Sequence, residues 1–150
     1  MNIIKLLYNF IFKTKRRRLT IKAVFLAAIA RFRIYYSPGS KLYKYLGESG
    51  SETDLGEIES PEKRRDVFFV SDKVNRVAKR VPWESKCLVQ AMTAQRLLRS
   101  YGLRSTLYLG VGRAKEEGGK MVAHAWVRCG PYYVCGGNGD DYGIVARFVY

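Results

Sequence analysis

Trp83-Glu84-Ser85-Lys86-Cys87-Leu88-Val89-Gln90-Ala91-Met92 is the stretch on which the fold turns. Its second half opens a helical run from Leu88 to Tyr101, with Ala91, Met92, Ala94, Leu97 and Leu98 at helical spacing and Gly102 as a stop signal. Ser85 is the natural N-cap, which sets Cys87 in the first turn. Working toward the C-terminus, Ser105 to Val111 and Met121 to Cys129 alternate as strands across the polar loop Arg113 to Lys120. Gly130-Pro131 turns the chain into Tyr132 to Cys135, Gly136 to Gly139 interrupts, and Tyr142 to Tyr150 makes a last strand. A helix followed by an antiparallel meander is an α+β pattern, with the cysteine-bearing helix packed on the sheet.

Working toward the N-terminus, Val67 to Val81 repeats valines at three-and-four spacing and predicts a short helix that Pro82 ends. Gly47 to Pro61 is rich in Gly, Ser and acids, with Leu55 and Ile58 as its apolar anchors, and reads as a linker or mobile loop. Two amphipathic helices are expected before it, over Met1 to Lys13 and Leu19 to Ile34, the second with Ile21, Val24, Phe25, Ala28, Ile29 and Phe32 as its apolar stripe. The resulting organisation is a basic helical region over 1–47, a linker over 48–65 and a core over 66–150.

The formal net charge of +14 is gathered at one end, since no Asp or Glu occurs before Glu48. Such a surface favours polyanions, anionic membrane surfaces or an acidic partner. Packing against the core is the plainer role for basic amphipathic helices, and membrane-surface contact the other. No helix-turn-helix or base-stacking motif supports nucleic acid. The longest uncharged apolar run, Ala23 to Ala30, falls short of the roughly 20 residues a membrane span needs. Lys13 to Arg18 interrupts where a secretory signal would need its apolar centre and cleavage site. Three cysteines and one histidine lack metal-ligand spacing. An odd cysteine count suits a reduced, cytoplasmic setting, which argues against a Cys129–Cys135 bridge across the hairpin.

Chemistry enters through two residues. A cysteine at a helix start meets unpaired N–H groups and the positive end of the helix dipole, which favour the thiolate. His124 is the sole imidazole, in Ala123-His124-Ala125-Trp126-Val127, where alternation puts His124 and Trp126 on one face and small alanines leave room for close approach. Taken singly, Cys87 would be a small buried residue and His124 a structural one; together they fit a nucleophile and its base. Trp83 and Trp126 are equally suited to a groove wall or to packing, and Gln90 reads as a helix-face residue.

These residues resemble the transglutaminase-like branch of the papain-type cysteine enzymes. The resemblance extends to the leader peptidases of lasso-peptide biosynthesis, the peptidase half of the split B protein, over about residues 66 to 150. It is carried by Pro82 to Ala91, Leu97-Leu98, Gly102, Leu107 to Val111, Ala123 to Val127 and Gly136-Gly137. What it implies is a cofactor-independent endopeptidase that removes the leader from a precursor peptide and frees the core's amine. The partners implied are a separate leader-recognition protein and an ATP-dependent cyclase. Such sites add an Asp or Asn after the histidine to fix its tautomer, much as in a triad. With a two-residue turn at Gly130-Pro131, Gly137 falls opposite His124; a one-residue register change puts Gly136 there, and neither carries a side chain. Asn138, Asp140 and Asp141 follow, with Asp140 the preferred third catalytic residue and a backbone carbonyl or water the alternative. Two other functions compete: acyl transfer on the same fold, and a basic membrane- or partner-binding module in which Cys87 and His124 are structural.

Overall fold

The computed structural model describes residues 3–4, 15–114 and 118–150. The helix expected over Met1 to Lys13 lies almost wholly outside them. Helix α1 spans Lys15–Tyr36 and α2 spans Gly39–Leu46; a short strand β1, Glu48–Ser49, and a 3-10 turn, Leu55–Glu57, lead into α3, Pro61–Ala78. Helix α4 is Cys87–Ser100, and strands β2 to β5 are Thr106–Arg113, Met121–Cys129, Tyr132–Cys135 and Gly143–Val149. The sheet is antiparallel in the order β1-β5-β2-β3-β4. The α+β expectation therefore holds, with one change: β5 does not continue the meander beyond β4 but returns to the other side of β2.

Alternation divides the sheet into two faces. Leu107, Ala125, Val127, Cys129 and Phe148 join Met92, Leu97 and Leu98 of α4 in one core, which α1 and α3 complete. On the opposite face Tyr108 and Trp126 are paired across β2 and β3 and stacked, with ring centroids 5.4 Å apart. The chain between β4 and β5 crosses this outer face. A Cβ at Gly136 would stand 2.8 Å from Trp126 Cβ, and one at Gly139 would collide with the indole. Only glycine lets the backbone pass so close to the ring.

Helix α1 differs from expectation in the face it buries. Leu19, Ala23, Ala27 and Ala30 are sealed, whereas Phe25 and Phe32 remain 65% and 63% exposed. The alanines form a narrow seam that lets α1 come close to α4 and α3, so proximity decides the buried side and not residue size.

The segment expected as a linker is folded onto the sheet. Thr53 N donates to Thr106 Oγ1 at 2.9 Å, and Arg128, itself buried, donates from Nη2 to Thr53 O at 2.9 Å. The same guanidinium reaches Tyr108 Oη at 2.9 Å and Gly130 O at 2.7 Å. Helix α3 begins earlier than its valines suggest, because Ser60 accepts from Lys63 N at 3.2 Å and Pro61 occupies the first turn.

Candidate functional site

Cys87 is the first residue of α4, and the capping position falls on Lys86, not Ser85. Lys86 has extended backbone angles, φ −67° and ψ 167°, and no side-chain capping bond. Ser85 is otherwise engaged: its carbonyl accepts from Gln90 Nε2 at 2.8 Å. Gln90 is thus a brace that folds back over the helix start, a role its position within the helical run did not reveal. The first helical N–H to find a carbonyl is that of Gln90, on Lys86 O at 3.1 Å. The N–H groups of Cys87, Leu88 and Val89 precede it and have no intrahelical acceptor. The peptide leading into the helix is pinned by Arg31 Nη1, which donates to Glu84 O at 2.6 Å.

Gln95 of α4 donates to Phe148 O on β5 at 3.2 Å. At its other end, Cys87 lies within electrostatic reach of Cys135, the last residue of β4. The helix therefore traverses the sheet from β5 to β4 and sets its N-terminus over the β4 margin. Cys87 is half-buried, whereas Cys129 and Cys135 are buried, and all three thiols are free. Burial pushes both inner thiols up to about 12. At Cys135, a backbone hydrogen bond at Val127 opposes that rise and the charge of Cys87 adds to it.

His124 is half-buried on the outer face of β3, opposite Gly110. Its ring stacks on Tyr142, with centroids 4.6 Å apart, and lies beside Trp126 at 5.9 Å. Its Nε2 is 2.7 Å from Gly136 O. A carbonyl can only accept, so Nε2 carries the proton and Nδ1 is the lone-pair nitrogen of the neutral ring. No hydrogen bond joins Cys87 Sγ to His124 among the described residues. Cys135 lies within electrostatic reach of the sulfur, and its neighbour Gly136 holds the imidazole.

The strand register explains how a glycine reaches the ring. A bulge between Val127 and Arg128 sets Val127 against Cys135, and β4 ends there. Neither Gly136 nor Gly137 enters the ladder opposite His124. Both turn with positive φ, 79° and 71°, and the Gly136 carbonyl swings inward. A Cβ at Gly136 would lie 2.5 Å from Ala125 O. Asp140 is exposed, and its carboxylate accepts from Asn138 Nδ2 and makes no hydrogen bond to His124. The structure thus brings a backbone carbonyl, and not Asp140, onto the histidine.

Trp126 is buried under the crossing loop, and Trp83 is half-buried in the loop before α4. No group of three or more His, Cys, Asp or Glu side chains forms a metal cluster among the described residues. None of the described helices is long and apolar enough to cross a membrane. No curated protein matches the chain, and no solved structure does. The profile of the transglutaminase-like superfamily matches residues 40–147, reaching from α2 through the cysteine helix to β5. With most of its length covered by that match, the chain belongs to the transglutaminase-like superfamily.

Proposed function

We propose that this protein is a cysteine endopeptidase that removes the leader from a lasso-peptide precursor, with Cys87 as nucleophile and His124 as base and acid. The observation carrying this reading is the Cys135-Gly136 pair, the first within electrostatic reach of the Cys87 thiol at the start of α4 and the second bonded to His124 Nε2. With Nε2 occupied, Nδ1 is the nitrogen left to take the thiol proton. The thiolate attacks the scissile carbonyl, forming a C–S bond, and the oxyanion is met by the free N–H groups at the start of α4, that of Cys87 included. Protonated Nδ1 then gives its proton to the departing amine as the C–N bond breaks, and water hydrolyses the acyl-enzyme. The catalytic contact forms when the peptide binds, as such contacts often tighten in the complex.

Targeting falls to a separate leader-recognition protein, and the freed amine passes to an ATP-dependent cyclase. The test is incubation with a candidate precursor, with and without that recognition protein, read by mass. The intact mixture is expected to release the leader, and folded Cys87→Ala and His124→Ala variants to leave it attached. Full cleavage by either variant refutes the assignment. A product in which the acyl group has moved to another amine, with no hydrolysis, makes the protein an acyl transferase instead.

A further inference from the structure

Away from the cysteine, α1 and α3 enclose a cavity of about 220 Å³ whose walls include Val24, Val77, Val81 and Trp83. Lys73 lines it and is only 6% exposed. No side chain or carbonyl among the described residues accepts a hydrogen bond from its ammonium. The neighbouring Asp72 carboxylate is taken by Arg76 Nε at 2.7 Å. Arg76 and Arg80 also line the cavity, so cations surround the buried lysine. Desolvation, and next the charge of Arg16, hold Lys73 below the ordinary lysine range. A second donor is orphaned there: Trp83 Nε1 is buried without a partner. Among the described residues the Lys73 ammonium has only the face of the Phe69 ring, 5.7 Å to its centroid, and no anionic partner. A cation held out of water without an anion and a buried N–H left unpaired are each costly, and an oxyanion satisfies both.

The cavity does not stand alone. A second hollow of about 430 Å³, formed by Ala28, Arg31, Phe32, Tyr35 and Tyr36 of α1, shares Trp83 with it. Together they make a groove along α1 from Thr20 to Tyr36, about 24 Å at 1.5 Å per residue. That length suits roughly seven residues of extended peptide. The chain's first 47 residues contain no acid, so its own N-terminal segment cannot supply the anion.

We propose that this groove binds an acidic peptide segment of a partner, with one carboxylate seated between Lys73, Arg80 and the Trp83 N–H and apolar side chains lying along the exposed aromatic face of α1. The site is separate from Cys87, and its occupancy is read without any cleavage.

The test uses a fluorescein-labelled peptide of alternating Glu and Leu, about eight residues long to span the groove, with a Lys/Leu peptide as control. Fluorescence anisotropy with the full chain is expected to show binding of the acidic peptide alone. Lys73→Met, Arg80→Gln and Trp83→Phe should each weaken it about tenfold or more, as losing a charge-assisted or buried hydrogen bond does. Lys73→Met keeps the apolar stem and removes a charge whose partner is the Phe69 ring and not an anion, and thermal unfolding checks that it folds. Arg80 is exposed and Trp83→Phe removes little more than the N–H, so both report even if the lysine variant misfolds. Equal binding by wild type and the folded variants overturns the proposal, as does equal binding of the basic peptide. Lys73-dependent binding of inorganic phosphate, or of phosphatidylglycerol vesicles, with no binding of the acidic peptide also overturns it and names a small oxyanion or a membrane as the occupant.

Discussion

Gly136→Ala offers the sharpest test of how the histidine is held. At φ 79° a Cβ costs about 1–2 kcal/mol in backbone strain, before the 2.5 Å approach to Ala125 O is relieved. The loop must shift, and the carbonyl that fixes His124 Nε2 at 2.7 Å shifts with it. In the transition state the ring is an imidazolium, so the lost bond is one to a charged donor, typically about 1.5–3 kcal/mol. That converts to a fall of roughly 10- to 150-fold in kcat/KM for precursor cleavage. The loss should appear in kcat, because the ring orients chemistry and not binding. Asp140→Ala is the companion variant. Its carboxylate is exposed and held by Asn138, so the rate should stay within about twofold of wild type. Thermal unfolding of both variants establishes that the fold survives. A folded Gly136→Ala enzyme cleaving at the wild-type rate refutes the carbonyl as orienter. A collapse of activity in Asp140→Ala would restore the carboxylate to that role.

Other expectations follow from burial. Iodoacetamide at mildly alkaline pH should label Cys87 in the native protein and all three cysteines after unfolding, counted by intact mass; native labelling of Cys129 or Cys135 contradicts their burial. Both inner thiols keep their protons to about 12 when folded, whereas the unfolded chain releases them from the ordinary value of 9.0. Stability should therefore fall as pH rises from 9.0 toward 12, and a Cys129→Ala/Cys135→Ala variant should show a flatter alkaline limb in denaturant melts. Arg128→Met leaves Tyr108 Oη, Gly130 O and Thr53 O without their donor and should cost about 3 kcal/mol or more, read from the urea midpoint. Proteolysis should then appear first in the segment around Thr53, which the guanidinium ties to the sheet.

Periodicity was sufficient for the parts of the fold whose buried faces are large and regular. The run from Leu88 to Tyr101 and the alternation of Met121 to Cys129 predict α4 and β3 almost residue for residue. Where burial follows closeness of backbones, hydrophobic size misleads: Phe25 and Phe32 outrank Ala23 and Ala27 on any apolar scale, yet the alanines face inward. The start of α3 was encoded in Ser60-Pro61, a cap followed by a first-turn proline, but the acidic and glycine-rich composition around it masked the signal. The candidate site divides in the same way. Cys87 and His124 stand out because their side chains carry chemistry. The Gly136 carbonyl is a main-chain group whose direction depends on a bulge in the β3–β4 pairing just past Val127, so a search of side chains for a third member passes over it.

The alanine seam of α1 bears on how the basic N-terminal region can be studied. Deleting residues 1 to 34 would appear to ask whether that region serves membrane or partner docking. The deletion would also strip the cover from Met92 and its neighbours on the cysteine helix, exposing the protein's interior to water. Loss of activity after such a truncation would then report collapse, not a missing address. Point changes at Phe25, Phe32 or the outward arginines leave that lid in place and interrogate the surface alone.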